Sequence, residues 1–224
     1  QLTISADGTR FATIAYQPTV WRLDSFVTDN RQEERDRHGD YQTSIIDLAF
    51  TSDSKSLVVA SASNSWATEF DTQDWQPREE TTYRRNVEPE AVSSDGKRFA
   101  AIDDGILLYN ASNGKPIKTL GQGIRPQCSV TFSQDGNFVA ACYRDDLVRV
   151  WDVNSGLLIA SAKQSKPYRA ALSHDGRQLA TSGRDDRSGI VQIWDLSDRP
   201  RPATQPLKLL ATLEQGHRVR SLRF

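Results

Sequence analysis

The sequence predicts an all-β chain made of repeated four-stranded antiparallel sheets. Its clearest unit, residues 129–162, contains four short apolar runs at 129–132, 138–143, 147–151 and 157–160. Polar turns separate these runs, and in the first of them Gly136 can supply the positive φ that a tight hairpin requires. Four short strands joined in this way form an antiparallel meander. A sheet of this size has two faces to cover, so the unit must stack on other sheets.

The unit recurs along the chain at a regular spacing. The aspartate of its first turn reappears 40 to 46 residues apart, at Asp7, Asp53, Asp95, Asp135 and Asp175. The third strand recurs as VWRLD (20–24), ATEFD (67–71), ILLYN (106–110), VRVWD (148–152) and VQIWD (191–195). Four-stranded repeats of this length are typical of the blades of a β-propeller.

The motifs resemble those of the WD40-repeat β-propeller family, and the resemblance covers nearly the whole chain. The matching features are two Trp-Asp pairs, four Ser-x-Asp-Gly turns and one Gly-His pair, at Trp151-Asp152, Trp194-Asp195, Ser5, Ser93, Ser133, Ser173 and Gly216-His217. The likeness is to bacterial-type arrays. It implies five blades and the first strand of a sixth, within a larger parent of seven blades fused to other domains; a five-bladed ring is the alternative.

The repeats are predicted at 1–43, 44–85, 86–124, 125–165 and 166–216, with 217–224 opening a further blade. The first has strands near 2–5, 10–15 and 19–23. Its fourth strand is obscure, because the segment 29–40 is densely charged. Such a segment is typical of a solvated loop or a polar outer strand, with partner binding as the alternative.

The second repeat has strands at 44–50, 56–60 and 66–71. Its turn at 52–55 lacks the glycine of the other repeats, and charged and aromatic residues at 73–85 replace a clean fourth strand. Within that segment Trp75 either packs under the loop or serves as an exposed contact.

The third and fifth repeats follow the pattern of the fourth. The third has runs at 87–93, 98–102, 105–110 and 116–120. The fifth has runs at 168–173, 178–182, 190–195 and 207–213. Three prolines within 198–206 predict an extended surface loop before its last strand.

In the family, a His, a Ser or Thr, an Asp and the Trp of one blade form a hydrogen-bonded chain. The resemblance assigns Ser182, Asp186 and Trp194 to this chain in the fifth repeat, and Asp146 and Trp151 in the fourth. The histidine is missing from both repeats. We therefore expect packing to hold most blades, and an Asp146→Ala change to leave thermal stability intact.

Composition excludes several classes of function. A net charge of -1 argues against a general nucleic-acid-binding surface. No apolar run approaches the roughly 18 residues of a membrane span. Two cysteines, Cys128 and Cys142, are too few for a disulfide framework and predict buried thiols in a cytoplasmic protein.

The sequence predicts no catalytic, cofactor or metal site. Its histidines, His38, His174 and His217, stand in separate segments without the spacing of a metal site. Neither a nucleophile elbow nor a phosphate-binding glycine loop is present. The Asp-Gly turns lack the succession of carboxylates that a calcium loop needs. A hydrolytic propeller is the least favoured alternative.

The remaining class is a non-catalytic platform that docks a protein or senses a ligand. In such a fold the loops and strand ends carry function, because packing occupies the strand interiors. By resemblance, partners dock on the loops before first strands and on the turns between second and third strands. The positions are Arg125, Gln127, Arg144, Asp145, Tyr168, Arg169, Arg184, Asp185 and Arg218. The alternatives are a purely structural scaffold or the C-terminal sensor of a multidomain bacterial signalling or defence NTPase.

Overall fold

A computed structural model describes residues 2–14, 18–22, 45–61, 66–74, 76–82, 88–183, 189–198, 206–214, 216–217, 219 and 221–224. Within these ranges the chain forms nineteen strands in five sheets, one of three strands and four of four. The chain divides into two compact units, Gln1–Ala101 with Leu108–Ile117 and Ile102–Leu107 with Lys118–Phe224. This all-β, propeller-like architecture confirms the predicted fold class, while the number of blades remains a prediction.

Two sheets of the first unit pack on each other. The first sheet contains β1 (Leu2–Ile4), β2 (Arg10–Ile14) and β3 (Pro18–Arg22). The second contains β4 (Ile45–Phe50), β5 (Ser56–Ser61), β6 (Trp66–Asp71) and β7 (Pro77–Thr82). Strand β4 lies against β1 and β2. A buried apolar cluster joins the sheets through Ala12, Val20, Leu48, Phe50, Leu57 and Val59.

The third sheet contains β8 (Glu88–Val92), β9 (Arg98–Ile102), β10 (Ile106–Asn110) and β11 (Pro116–Leu120). Strand β8 contacts β4 and β5. The Val92 N–H donates to Asp47 Oδ2 at 2.7 Å, so a carboxylate of the second sheet binds the backbone of the third.

The second unit repeats the same packing. One sheet contains β12 (Cys128–Phe132), β13 (Phe138–Cys142), β14 (Leu147–Asp152) and β15 (Leu158–Lys163). The other contains β16 (Pro167–Leu172), β17 (Gln178–Gly183), β18 (Ile190–Asp195) and β19 (Lys208–Glu214). Strands β12 and β13 contact β16. Small and branched side chains fill this interface, among them Val148, Val150, Leu172 and Leu179.

The Ser-x-Asp-Gly turns are held by a local hydrogen-bond network. Ser133 Oγ donates to Asp135 Oδ1 at 2.5 Å and accepts from the Phe138 N–H at 3.0 Å. The same pair of bonds recurs at Ser5, Thr51, Ser93 and Ser173. The repeat spacing seen in the sequence is therefore the spacing of one recurring hairpin turn.

The turn without glycine in the second repeat uses a serine instead. Ser54 adopts a φ of 59°, in the left-handed region that glycine occupies in the other turns. It is buried, and its Oγ accepts from the Asp7 N–H of the first sheet at 3.0 Å. A glycine would remove this contact between the two sheets.

The prediction that 73–85 lacks a clean fourth strand is wrong. Strand β7 pairs with β6 from Trp66↔Thr82 to Phe70↔Pro77. Sheet pairing uses backbone groups, so charged residues are compatible with an outer strand, and a proline is tolerated as its first residue. The fourth strand of the first repeat, the segment 29–40, Trp75 and most of the proline-rich segment lie outside the described residues.

The predicted hydrogen-bonded chain in the fifth repeat is corrected by the structure. Trp194 Nε1 donates to Thr181 Oγ1 at 2.9 Å, and this hydroxyl donates to Gln164 Oε1 at 2.9 Å. Gln164 thus accepts this hydrogen bond in place of the histidine that the fifth repeat lacks. Ser182, the predicted partner of Trp194, points to the other face of the sheet, because side chains alternate along a strand; its buried Oγ has no partner among the described residues. Asp186 lies outside them.

The fourth repeat departs from the prediction in a different way. Trp151 Nε1 donates to the buried Tyr143 hydroxyl at 3.3 Å. Asp146 instead accepts the Lys166 N–H on Oδ1 at 2.9 Å, which ties the fourth sheet to the connection that enters the fifth. We therefore expect the Asp146→Ala change to reduce stability, contrary to the expectation from sequence.

The Cys142 thiol is buried, as predicted, and Cys142 lies opposite Cys128 in the register of β12 and β13. Among the residues with assigned positions there is no helix with the length and apolar character needed to cross a membrane.

Candidate partner-binding surface

The predicted contact residues that the structure describes all belong to the second unit. Arg125 and Gln127 immediately precede β12, and Arg144 and Asp145 form the turn between β13 and β14. The Gln127 N–H donates to the Cys142 carbonyl at 2.8 Å. The two loops therefore lie at the same end of the fourth sheet. The remaining pair, Tyr168 and Arg169, lies near the start of β16, while Arg184, Asp185 and Arg218 fall outside the described residues.

Asp146 joins this end of the fourth sheet to the start of the fifth. Its carbonyl accepts the Gln164 N–H at 2.9 Å, and its Oδ1 accepts the Lys166 N–H at 2.9 Å. Both Asp146 and Lys166 have positive φ, of 60° and 44°, which side-chain-bearing residues seldom adopt. Hydrogen bonds thus hold the turn between β13 and β14 against the connection between β15 and β16. We call Arg125, Gln127, Arg144, Asp145, Tyr168 and Arg169 the arginine rim.

A β-bulge shapes the fifth-sheet part of the rim. Pro167 pairs with Gly183 and Arg169 with Ser182, so Tyr168 is an extra residue between them. The bulge allows consecutive side chains to meet: Arg169 Cζ lies 4.4 Å from the Tyr168 ring centroid, and its Nη2 lies 3.4 Å from the Tyr168 hydroxyl. Equivalent shifts occur near the start of β4 and β12. Bulges often re-aim side chains next to functional sites.

An ion pair joins the turn between β13 and β14 to a residue of β14. Arg149 donates to both carboxylate oxygens of Asp145, at 3.1 and 2.5 Å, and its Cζ lies 4.5 Å from the Tyr143 ring centroid. The hydrogen bonds from Arg149 hold the pKa of Asp145 below its ordinary value, against the effect of desolvation. Burial raises the pKa of Tyr143, although the hydrogen bond from Trp151 opposes the rise. The Asp145 carboxylate is thus already paired with Arg149.

The rim residues differ in exposure. Arg125, Gln127 and Arg144 are exposed, while Tyr168 and Arg169 are half-buried. Sequence reasoning missed three exposed neighbours, Ile124, Lys163 and Lys166. They stand at positions where the repeats show no pattern. The sequence signals only the two lysines, as a basic pair that flanks Gln164 and Ser165.

No group of three or more His, Cys, Asp or Glu side chains suited to a metal ion occurs within the described ranges. The chemistry that this surface offers is contact through guanidinium groups, an aromatic ring and exposed amide and apolar side chains. This composition is enriched at the energetic centres of protein interfaces.

Comparison with known proteins supports WD40-type repeats. Residues 114–152 match the family model described as WD domain, G-beta repeat. The chain is 28% identical over 185 residues to Autophagy-related protein 16 of Arabidopsis thaliana, an alignment that covers 79% of this chain and 34% of that protein. It is 28% identical over 110 residues to Target of rapamycin complex subunit wat1 of Schizosaccharomyces pombe, covering 48% and 34%.

A further relative is a subunit of Chromatin assembly factor 1 of Mus musculus, 25% identical over 134 residues, covering 59% of this chain and 23% of that protein. The chain spans about a third or less of the length of these relatives. All three are eukaryotic, so they give no support to the predicted bacterial-type likeness. Two of them are by name subunits of larger assemblies.

The β-propeller domain of Cps50 (Swd1) from Myceliophteria thermophila superposes with a TM-score of 0.71 at 16% sequence identity, covering 96% of this chain and 70% of that chain. At this identity the likeness concerns the fold. It agrees with the propeller-like stacking of the sheets.

Proposed function

We propose that the chain is a non-catalytic docking module and that its protein partner binds the arginine rim. The observation that carries the proposal is the bonding of Asp146 to Gln164 and Lys166, which joins exposed loops of two neighbouring sheets into one surface. A surface that is ordered before binding loses less conformational entropy when a partner docks.

Within the second unit, the strand interiors offer a partner little accessible surface. Their side chains pack between the sheets, as Val148, Val150, Leu172 and Leu179 do. The turns at the opposite end carry the Ser-x-Asp-Gly network, which is explained by folding alone. Two relatives are named as subunits of larger assemblies, which fits a docking role.

The test compares two double variants of equal charge change. Arg125→Ala with Arg144→Ala removes two exposed cations of the rim. Arg177→Ala with Lys208→Ala removes two exposed cations at the other end of the fifth sheet, where Gln178 pairs with Asp195 and Asp195 with Lys208. Immobilised wild-type chain first identifies the bound protein by mass spectrometry, and its Kd is then measured for each variant.

We expect the rim variant to bind about tenfold or more weakly, because Arg side chains are frequent hot spots, and the control variant to bind like the wild type. Thermal unfolding confirms that both variants fold. Equal affinity for wild type and both variants would exclude the rim as the docking surface. Failure of the wild-type chain to capture any protein would favour the purely structural scaffold.

A further inference from the structure

We infer that the partner segment is acidic and that a basic cluster of Arg144, Lys163 and Lys166 binds its carboxylates. The inference rests on the proposed function and specifies its partner. Lys163 and Lys166 carry no repeat motif, so only the fold reveals that they lie beside Arg144.

Backbone contacts hold the three cations around one turn. Lys163 pairs with Leu147 in the register of β14 and β15. Its neighbour Gln164 donates to the Asp146 carbonyl at 2.9 Å, and the Lys166 N–H donates to Asp146 Oδ1 at 2.9 Å. Arg144 is the second residue before Asp146 in the same turn. Each cation is therefore anchored within two residues of Asp146 or of a residue bonded to it.

The cluster carries more positive charge than the carboxylates of the described turn neutralise. Arg144, Lys163 and Lys166 are exposed and form no ion pair with any residue whose position the structure describes. The two carboxylates of the turn are already engaged: Asp145 by both Arg149 donors and Asp146 by the Lys166 N–H. Arg149 balances Asp145, so within the described turn between β13 and β14 Asp146 is the carboxylate left to offset the three exposed cations.

The surroundings favour a protein segment over a nucleic acid. Two exposed carboxylates, Asp103 and Asp104, lie on the approach to the rim, because the Asp104 carbonyl accepts the Gly123 N–H at 2.9 Å. They interrupt the continuous positive surface that a phosphate backbone requires. Next to this loop Ile124 is 40% exposed, which offers an apolar contact that a peptide side chain can use. A short acidic segment with an apolar residue fits this mixture.

The probe for the test is a displayed library of random 12-residue peptides, selected on the immobilised full chain. The test variant is Arg144→Gln, Lys163→Gln, Lys166→Gln. The matched control is Lys115→Gln, Arg177→Gln, Lys208→Gln, which removes the same charge from exposed positions outside the cluster. Selected peptides are then synthesised, and their Kd values are measured at about 50 and 300 mM salt, with a 12-nucleotide single-stranded RNA as competitor.

We expect selected peptides to contain about three times more Asp and Glu than the input. Their affinity should fall about tenfold in the test variant, stay within about twofold in the control, and weaken several-fold at the higher salt, as exposed charge pairs are screened. Neutral or basic selected peptides that still require the rim would overturn the acidic partner but leave docking intact. Displacement by the RNA at equal concentration, equal loss in both variants, or no enrichment at all would also overturn the inference.

Discussion

The indole N–H of Trp194 is buried in the fifth sheet, and its single donor fixes the identity of two neighbours. It donates to Thr181 Oγ1, whose own proton goes to Gln164 Oε1. A Thr→Val change keeps the shape of the side chain but leaves both polar partners unsatisfied in the interior. We expect Thr181→Val to lower the free energy of unfolding by about 1–3 kcal/mol in urea titrations.

The adjacent Ser182 supplies the control for this prediction. Its Oγ is buried and has no partner within the described part of the chain. Removing a hydroxyl that makes no hydrogen bond also removes its desolvation cost. Ser182→Ala should therefore be neutral within about 0.5 kcal/mol or slightly stabilising. If Thr181→Val proved as neutral as Ser182→Ala, the hydrogen bonds of Thr181 would not contribute to stability.

Asp146 is the residue on which the connection between the fourth and fifth sheets depends. Asp146→Ala removes the acceptor of the Lys166 N–H and places alanine at a φ of 60°. We expect a loss of about 1–3 kcal/mol in thermal or chemical unfolding. Asp146→Asn keeps an acceptor and tolerates this φ, so it should recover most of the stability. An unchanged melting temperature in the alanine variant would mean that packing alone stabilises the connection between the two sheets.

Among the connecting elements, the segment between β11 and β12 has a tight contact with the core. A Cβ on Gly121 would stand 2.7 Å from Trp151 Cζ2, and its φ is +61°. Gly123 has a φ of +79° but open space around it. Gly121→Ala should cost about 2–4 kcal/mol, from overlap and backbone strain, and Gly123→Ala about 1 kcal/mol from strain alone. Differential scanning calorimetry of both variants would measure the difference; similar costs would mean that Trp151 moves aside.

Hydrogen bonds in the hairpin turns of Asp53 and Asp175 lower the pKa of these aspartates, which allows a titration test. The Thr51 hydroxyl, followed by the Lys55 N–H, holds the pKa of Asp53 below its ordinary value of 3.8. A carboxyl with a depressed pKa stabilises the fold above its unfolded pKa, and the contribution disappears as the pH falls through the folded pKa. Thr51→Val should move the pKa of Asp53 toward 3.8 in carboxyl NMR titrations. Asp175, whose pKa is lowered by Arg177 N–H and Ser173, should not move; parallel shifts would contradict a local cause.

The strands and their turns were largely predictable because they depend on local chemistry. The Asp-Gly turns and the Trp-Asp strands recur with the hairpin itself, so β8 to β19 lie close to the predicted runs. Strand β7 was missed because charge marks an outer strand as well as a loop. Gln164 and Tyr143 were missed because their roles depend on side chains from other strands, which no local pattern encodes.

For the molecule as a whole, the candidate site is assembled by contacts between sheets. The sequence placed arginines on loops, and the bonding of Asp146 to Lys166 shows which of those loops meet. The same contact brings Lys163 and Lys166 beside Arg144, although nothing in the repeat pattern distinguishes them. Arg184, Asp185 and Arg218 remain predictions of the same surface.

Amide hydrogen exchange of the full chain, with and without the partner protein, tests the docking proposal most directly. We predict slower exchange on binding in peptides that cover 124–127, 143–147 and 163–169, which carry the arginine rim and its basic cluster. The turns at 154–157 and 174–177, at the other ends of the same sheets, serve as internal controls and should not change. Protection confined to those turns, with none at the rim, would contradict the account.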